Sequence, residues 1–143
     1  MKKGGAENPA EGPIKSTPMR IDLLSHIMKK AHPNVKLVFE NEPFDDFDTF
    51  IKETYDISTQ CPQIGLCVDT AHLFGGGLHP EDLSSHLQPW KKPDLIHLNG
   101  NSCEFNSKKD IHENMTSEFD HVFTRDSLKT FLNKWGSVPM IIE

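Results

Sequence analysis

The chain lacks any run approaching the ~20 consecutive apolar residues of a membrane span, so no membrane partner is expected. Its opening, "MKKGGAENPAEGPIKSTP", holds no apolar stretch and does not read as a secretion signal. Cysteine is scarce. Cys61, Cys67 and Cys103 make an odd number with no C-x-x-C spacing. That argues against a disulfide framework and for a reducing, intracellular setting, nucleus or cytoplasm. Positive charge is short as well: 15 Lys and Arg against 21 Asp and Glu give a formal net charge of −6, with eight His uncounted. Such a balance does not grip a polyanion unless cations neutralise some of the acids. No internal repeat is present. The length, 143 residues, suffices for one domain with a real core.

What the chain does have is alternation. Residues 1–18, rich in Gly, Pro, Lys and Glu, read as a flexible tail ahead of a domain over 19–143. "MRIDLLSHIMKKAH" carries apolar residues at helical spacing and is expected to run up to Pro33. "VKLVFE" reads as a strand, and "DDFDTFIKETYDIS" as a helix opened by Asp45 or Asp46. "IGLCVD" is nearly all apolar and is expected to be a strand buried on both faces. "HPEDLSSHLQPW" reads as a short helix with Pro80 in its first turn, "DLIHLN" as a strand, "TRDSLKTFLNKW" as a helix and "VPMIIE" as a fourth strand. Helices alternating with buried strands imply a parallel α/β sheet with right-handed crossovers.

Each strand ends on a side chain that can bind a metal: Glu40, Asp69, His97 and Glu143. In parallel α/β folds the C-terminal strand ends share one face, where active sites are built. A lone Glu after a strand is ordinarily solvated or caps a helix. Four donors in register are harder to dismiss, because two carboxylates ~4 Å apart repel by roughly 4 kcal/mol at an effective dielectric near 20. The stretch "DTAHLFGGG" has two readings: Asp69 as the cap of a helix start, or Asp69 and His72, on the loop leaving the strand, as ligands. "SKKDIHEN" adds Asp110 and His112, whose i, i+2 spacing puts both on one side of an extended segment. Mixed imidazole and carboxylate donors suit zinc or manganese, and several ions a few ångströms apart suit phosphate-ester hydrolysis.

The segments "VFEN", "GLCVDTAHLF", "HLNGNSCEFNSKKDIHEN" and "PMIIE" resemble motifs of AP endonuclease family 2, the endonuclease IV type. The likeness runs over roughly residues 21–143 and covers the C-terminal half of that family's (β/α)8 TIM barrel. It implies a partial barrel of about four βα units and a zinc-dependent apurinic/apyrimidinic endonuclease, with abasic-site DNA as the partner. It also implies ligand roles. Glu40 would bridge two zincs and help position the attacking hydroxide. Asp69, His97 and Glu143 would complete one of those zincs, and His72, Asp110 and His112 would hold the third. Lys108 and Lys109 are candidate phosphate contacts. The departures are specific. Two further His of the family's first zinc have no counterpart before Glu40. Thr116 and Glu118 stand where a Gly-x-Gly is usual, Ile111 replaces a basic residue, and Glu42 and Pro43 replace small ones.

Other functions are compatible with parts of this pattern. A metal-dependent sugar isomerase or epimerase of a related barrel would use Glu40, Asp69, His97 and Glu143, but has no need of Asp110 and His112. A non-catalytic fragment is the third reading. An open half barrel would expose two strand edges, so the missing N-terminal half or self-association is an expected partner. Trp90, Trp135, Phe47 and Phe50 read as core. Cys67 reads as buried and inert, and Cys103 as a loop residue. His79, His86 and His121 read as surface residues, and "FGGG" as a tight turn.

Overall fold

A computed structural model of the chain describes residues 17–115 and 117–143. The expected tail lies outside the described residues up to residue 16, as does Thr116. The elements in chain order are α1 (Thr17–Met28), β1 (Leu37–Glu40), α2 (Phe47–Gln60), β2 (Ile64–Asp69), α3 (Thr70–Gly76), a 3-10 turn (Pro80–Asp82), α4 (Leu83–His86), β3 (Leu95–His97), α5 (Arg125–Trp135) and β4 (Met140–Ile141).

The four strands form one parallel sheet in chain order, β1-β2-β3-β4. With helices between successive strands, this is a partial barrel of the (β/α)8 type. β2 is buried along its whole length, as expected of a central strand covered on both faces. Its register places Glu40 beside Cys67 and Asp69 beside His97. The outer edges of β1 and β4 carry no strand among the described residues. β4 is two residues long; its Ile141, paired with His97, and Ile142 after it are exposed.

Two apolar clusters hold the layers together. The larger joins Leu66, Val68 and Ile96 of the sheet to Ile51 of α2, Leu73 and Phe74 of α3, and Phe131 and Trp135 of α5. The smaller packs Leu24 and Met28 of α1 on Ile57, Cys61 and Ile64. Phe47, Phe50 and Trp90 lie against the larger cluster, as expected of core aromatics, and the Trp90 indole donates to the Ile51 carbonyl (3.1 Å). Gly65 is required by close approach: a Cβ there would lie 2.5 Å from Asp94 Oδ2, which accepts the Leu66 amide at 2.9 Å.

Helix ends follow local chemistry. α2 starts after Asp46. Thr124 and Ser127 form a reciprocal capping box at the start of α5. α1 stops at Met28, short of Pro33. Lys30 and Ala31 donate to carbonyls three residues back, those of Ile27 and Met28, the tighter pattern that closes fraying helix ends. Of the two readings of the stretch after Asp69, the capped helix start holds and the loop does not. α3 has buried residues from Thr70 through Gly75, so it shows no polar face to mark it as amphipathic. Gly77, at φ +98°, ends it in the left-handed region. His72 therefore sits in the first turn of α3 and not on a loop.

Candidate metal centre

Asp69 answers both readings of its stretch at once. Its Oδ1 accepts the His72 amide (2.9 Å) and caps α3. Its Oδ2 accepts from Asn99 Nδ2 (2.7 Å) and lies 3.6 Å from His112 Nε2. The side chain is 0 % exposed. A carboxylate buried this fully is costly unless hydrogen-bonded or paired with a cation.

The other strand-end donors gather beside it. His97 Nδ1 lies 3.0 Å from Glu40 Oε1 and 3.4 Å from Glu143 Oε2. Donor atoms of Glu40, Asp69, His97 and Glu143 all fall within 4.8 Å of one another. A second set forms around α3 and the loop after β3. His72 Nε2 is 2.9 Å from Asp110 Oδ1 and 3.3 Å from His112 Nε2. His112 Nδ1 reaches Glu143 Oε2 at 3.7 Å, which joins the two sets. Glu42, His72 and Asp110 also meet within 4.8 Å, as do Glu40, Cys67 and His97.

Protonation shows what this cluster lacks. His72 Nδ1 faces the Asn41 carbonyl at 2.8 Å, and a carbonyl can only accept. Its Nε2 faces the Asp110 carboxylate, which also accepts when ionised. Both ring nitrogens therefore need a proton. Burial works against that charge, but Asp69 and Asp110 outweigh it and raise the His72 pKa. Glu40 is raised too, chiefly by burial and then by Asp69, against the pull of His97 and His72. Burial, with Glu40 and Asp69, pushes the Cys67 thiol up to about 12. A carboxyl and an imidazole both pushed up beside the buried Asp69 carboxylate mark a negative site that a bound cation would relieve. The donor types fit zinc or another divalent ion.

Lys108 and Lys109 sit on the chain just before Asp110. The Lys108 ammonium donates to the Gly76 carbonyl at the C-terminal end of α3 (2.7 Å), and the Lys109 carbonyl accepts from Asn101 Nδ2 (3.5 Å). An apolar cavity of about 430 Å³, lined by Leu23, Leu24, Phe39, Phe50 and Ile57, meets the donor cluster only at Glu40.

Sequence reasoning missed the asparagines that hold the donors. Asn41 Oδ1 accepts the Asp69 amide (2.9 Å). Asn99 donates to Asp69 and to Glu143 Oε2 (3.3 Å) and accepts the Glu143 amide (3.0 Å). Asn101 ties Ala71 to the loop before Asp110. All three are essentially fully buried. Their signal was positional: an Asn directly after Glu40, and "NGN" directly after β3.

No protein-family model matches the chain. Curated relatives do. A "Probable endonuclease 4" of Mycoplasma mobile is 31% identical over 88 residues, 57% of this chain and 31% of that protein. One of Sulfurihydrogenibium sp. is 32% identical over 92 residues, 57% of this chain and 32% of that protein. One of Campylobacter curvus is 26% identical over 146 residues, 86% of this chain and 49% of that protein. The chain is similar to proteins of the endonuclease 4 type. It spans between about a third and a half of the length of these relatives. No helix among the described residues is long and apolar enough to cross a membrane.

Proposed function

We propose that the chain is the metal-binding half of a zinc-dependent apurinic/apyrimidinic endonuclease, a phosphodiesterase of intracellular DNA base-excision repair. One observation carries the reading: His72, Asp110 and His112 meet beside the strand-end set of Glu40, Asp69, His97 and Glu143. The strand-end set alone would suit a sugar isomerase equally well. The additional His-Asp-His set is surplus to such an enzyme and suited to a multi-ion phosphodiesterase. Bound zinc, with manganese as an alternative, would polarise the phosphate and acidify a water.

The chain's own residues supply the rest. Asp69, His97, Glu143 and Glu40 would hold one ion. Glu40, its pKa raised, sits where it can orient the attacking water. His72, Asp110 and His112 would hold a further ion, and the Asn41 carbonyl fixes the His72 ring so that Nε2 is the nitrogen offered. Lys108 and Lys109 place positive charge beside the phosphate path. Ile111, where the family carries a basic residue, adds none. The edges of β1 and β4, which carry no strand among the described residues, would be covered by the other half of such a barrel or by a second copy of the chain.

Metal content of the purified chain by mass spectrometry tests this reading. Two or more zincs per chain are expected, one would favour the isomerase set, and none a non-catalytic fragment. The chain alone should incise abasic-site DNA weakly or not at all. The missing N-terminal half, added in trans or by fusion, should restore incision that depends on Asp69 and His112. Losing the clamp of one ion, at about 4 kcal/mol, is worth roughly a thousandfold in rate.

A further inference from the structure

Glu42 lies two residues after Glu40, on the loop from β1 to α2, and is exposed. An exposed loop acid is ordinarily just solvated, but the backbone around this one is fixed. The Asp45 amide donates to the Glu42 carbonyl (3.2 Å), and Asp45 Oδ2 accepts the Glu42 amide (3.0 Å). Residues 42–45 therefore form a reverse turn, with Pro43 at the position where its fixed φ suits one. Pro43 is buried and seats the turn on α3, the helix that carries His72. A Cβ at Gly75 would lie 3.2 Å from Pro43 Cβ and 3.0 Å from the Lys109 carbonyl oxygen. The Glu42 turn and the Asp110 loop thus close on α3 at the same glycine. Asn41, one residue before Glu42, holds His72 Nδ1 through its carbonyl (2.8 Å). Together these contacts bring donor atoms of Glu42, His72 and Asp110 within 4.8 Å of one another.

We propose that Glu42 is a further ligand of the outer ion, one that gives way to a phosphate oxygen of the substrate. It rests on the reading that His72, Asp110 and His112 hold that ion. His72 offers Nε2, which lies 2.9 Å from Asp110 Oδ1 and 3.3 Å from His112 Nε2. Three protein donors leave a tetrahedral zinc one open position, the arrangement of catalytic sites, and a fourth donor closes it, the arrangement of structural sites. Glu42 also raises the carboxylates around that ion to two, which match its charge of +2. Exposed at a turn, the Glu42 side chain is able to swing off without disturbing the other three donors. The exchange moves no proton: the carboxylate leaves the ion and a phosphate oxygen takes its place. In the resting chain Glu42 therefore does two things. It helps retain an ion whose other carboxylate hangs on an irregular loop, and it competes with anions for that ion.

The test follows zinc binding to the full chain by competition with a chromophoric chelator. It follows inorganic phosphate binding to the cobalt(II)-loaded chain by the visible absorption of the ion, which reports its coordination. The outer zinc is identified as the one that Asp110→Ala/His112→Ala removes. Glu42→Gln should weaken that zinc about tenfold or more, leave the other unchanged, and bind inorganic phosphate about fivefold more tightly, the gain from removing one nearby negative charge. Glu42→Asp keeps the charge but withdraws it by one methylene, so it should follow Glu42→Gln in zinc affinity. Metal-free melts of both variants should match the native chain, because Glu42 is exposed. Unchanged outer-zinc affinity in Glu42→Gln overturns the proposal and leaves the function reading standing. So does native affinity in Glu42→Asp, which would mark a field effect, phosphate bound no more tightly by Glu42→Gln, or a lowered metal-free melt, the mark of a structural prop. A native chain that takes fewer than two zincs overturns both.

Discussion

The two donor sets differ in what holds them. The inner set, Glu40, Asp69, His97 and Glu143, stands on or directly after strands whose ladder fixes the pairing of Glu40 with Cys67 and of Asp69 with His97. The outer set hangs on less regular backbone. His72 rides the first turn of a seven-residue helix. Asp110 and His112 lie on a loop tied down by Lys108 N to Gly75 O (2.9 Å) and by the two reciprocal bonds of a bridge between Gly100 and Glu113. Asn106 and Lys108 take positive φ to make that path. Exposure does not follow the same order: Asp69 at 0 % and Asp110 at 58 % are the extremes, but Glu143 of the inner set is 44 % exposed and His72 of the outer set 7 %. The sheet pre-forms the inner set, whereas the outer set depends on its loop.

Asp69 is the hinge of this comparison, so changing it should have the largest effect. Asp69→Asn keeps the volume and one cap acceptor but removes the carboxylate that faces both sets. Zinc affinity measured by calorimetry should fall at both sites by at least about a hundredfold, the upper end for losses even at supporting residues. Loss of only one ion would show that Asp69 serves a single set. The double variant Asp110→Ala/His112→Ala separates the sets from the other side. It should lose one zinc per chain by mass spectrometry and hold the remaining one with affinity within about threefold of native, since no inner donor is touched. Loss of all metal would mean that the inner set does not stand alone.

The inner set was legible in the sequence because its cause is local. The apolar run Ile64–Val68 fixes β2, and the period of two carries Asp69 to its end. The parallel order followed from helices alternating with strands. α3 was half legible: a helix start capped by Asp69 was one of two readings of its stretch, but its residues are buried from Thr70 through Gly75, so no amphipathic stripe favoured it over a glycine-rich loop. Its terminators, Asp69 and Gly77, were nevertheless both visible. The asparagines were missed because Asn is usually a turn residue. Burial of Asn41, Asn99 and Asn101 makes sense only once the carboxylates they serve are in place. The side on which Cys67 lies depends on register, which the sequence does not state.

A pH series sharpens the comparison with one proton-linked residue from each set. Glu40 and His72 both have raised pKa values in the folded chain. A raised value means that the fold binds the proton more tightly than the unfolded chain does. Stability from that source is complete below the unfolded value and declines as pH rises through the folded one. The metal-free chain should therefore lose stability as pH climbs above 4.5 for Glu40, and further above 6.5 for His72, the ordinary values of these groups. Zinc should reverse the trend, because ligands bind it only when deprotonated. Thermal melts from pH 4 to 8, with chelator and with zinc, give the two slopes. Parallel slopes would mean that the cation does not replace those protons.

The smallest effect is expected at the two lysines, and it divides them. Lys108 spends its ammonium on the Gly76 carbonyl, at the C-terminal end of α3, where a cation is favoured by the helix dipole. Lys108→Ala should thus cost about 0.3–1 kcal/mol of stability and leave the salt dependence of DNA binding nearly unchanged. Lys109 fixes the loop through its backbone carbonyl, an interaction that survives removal of the side chain. Lys109→Ala should leave the melting temperature within error and lower the slope of log affinity against log salt by about 1, the loss of one phosphate contact. Binding of zinc-loaded chain to abasic-site duplex across a salt series reads both. The opposite assignment, with the slope moving for Lys108 and not for Lys109, would show that the ammonium leaves Gly76 when DNA arrives. The outer loop would then rearrange on binding while the inner set stays fixed on its strands.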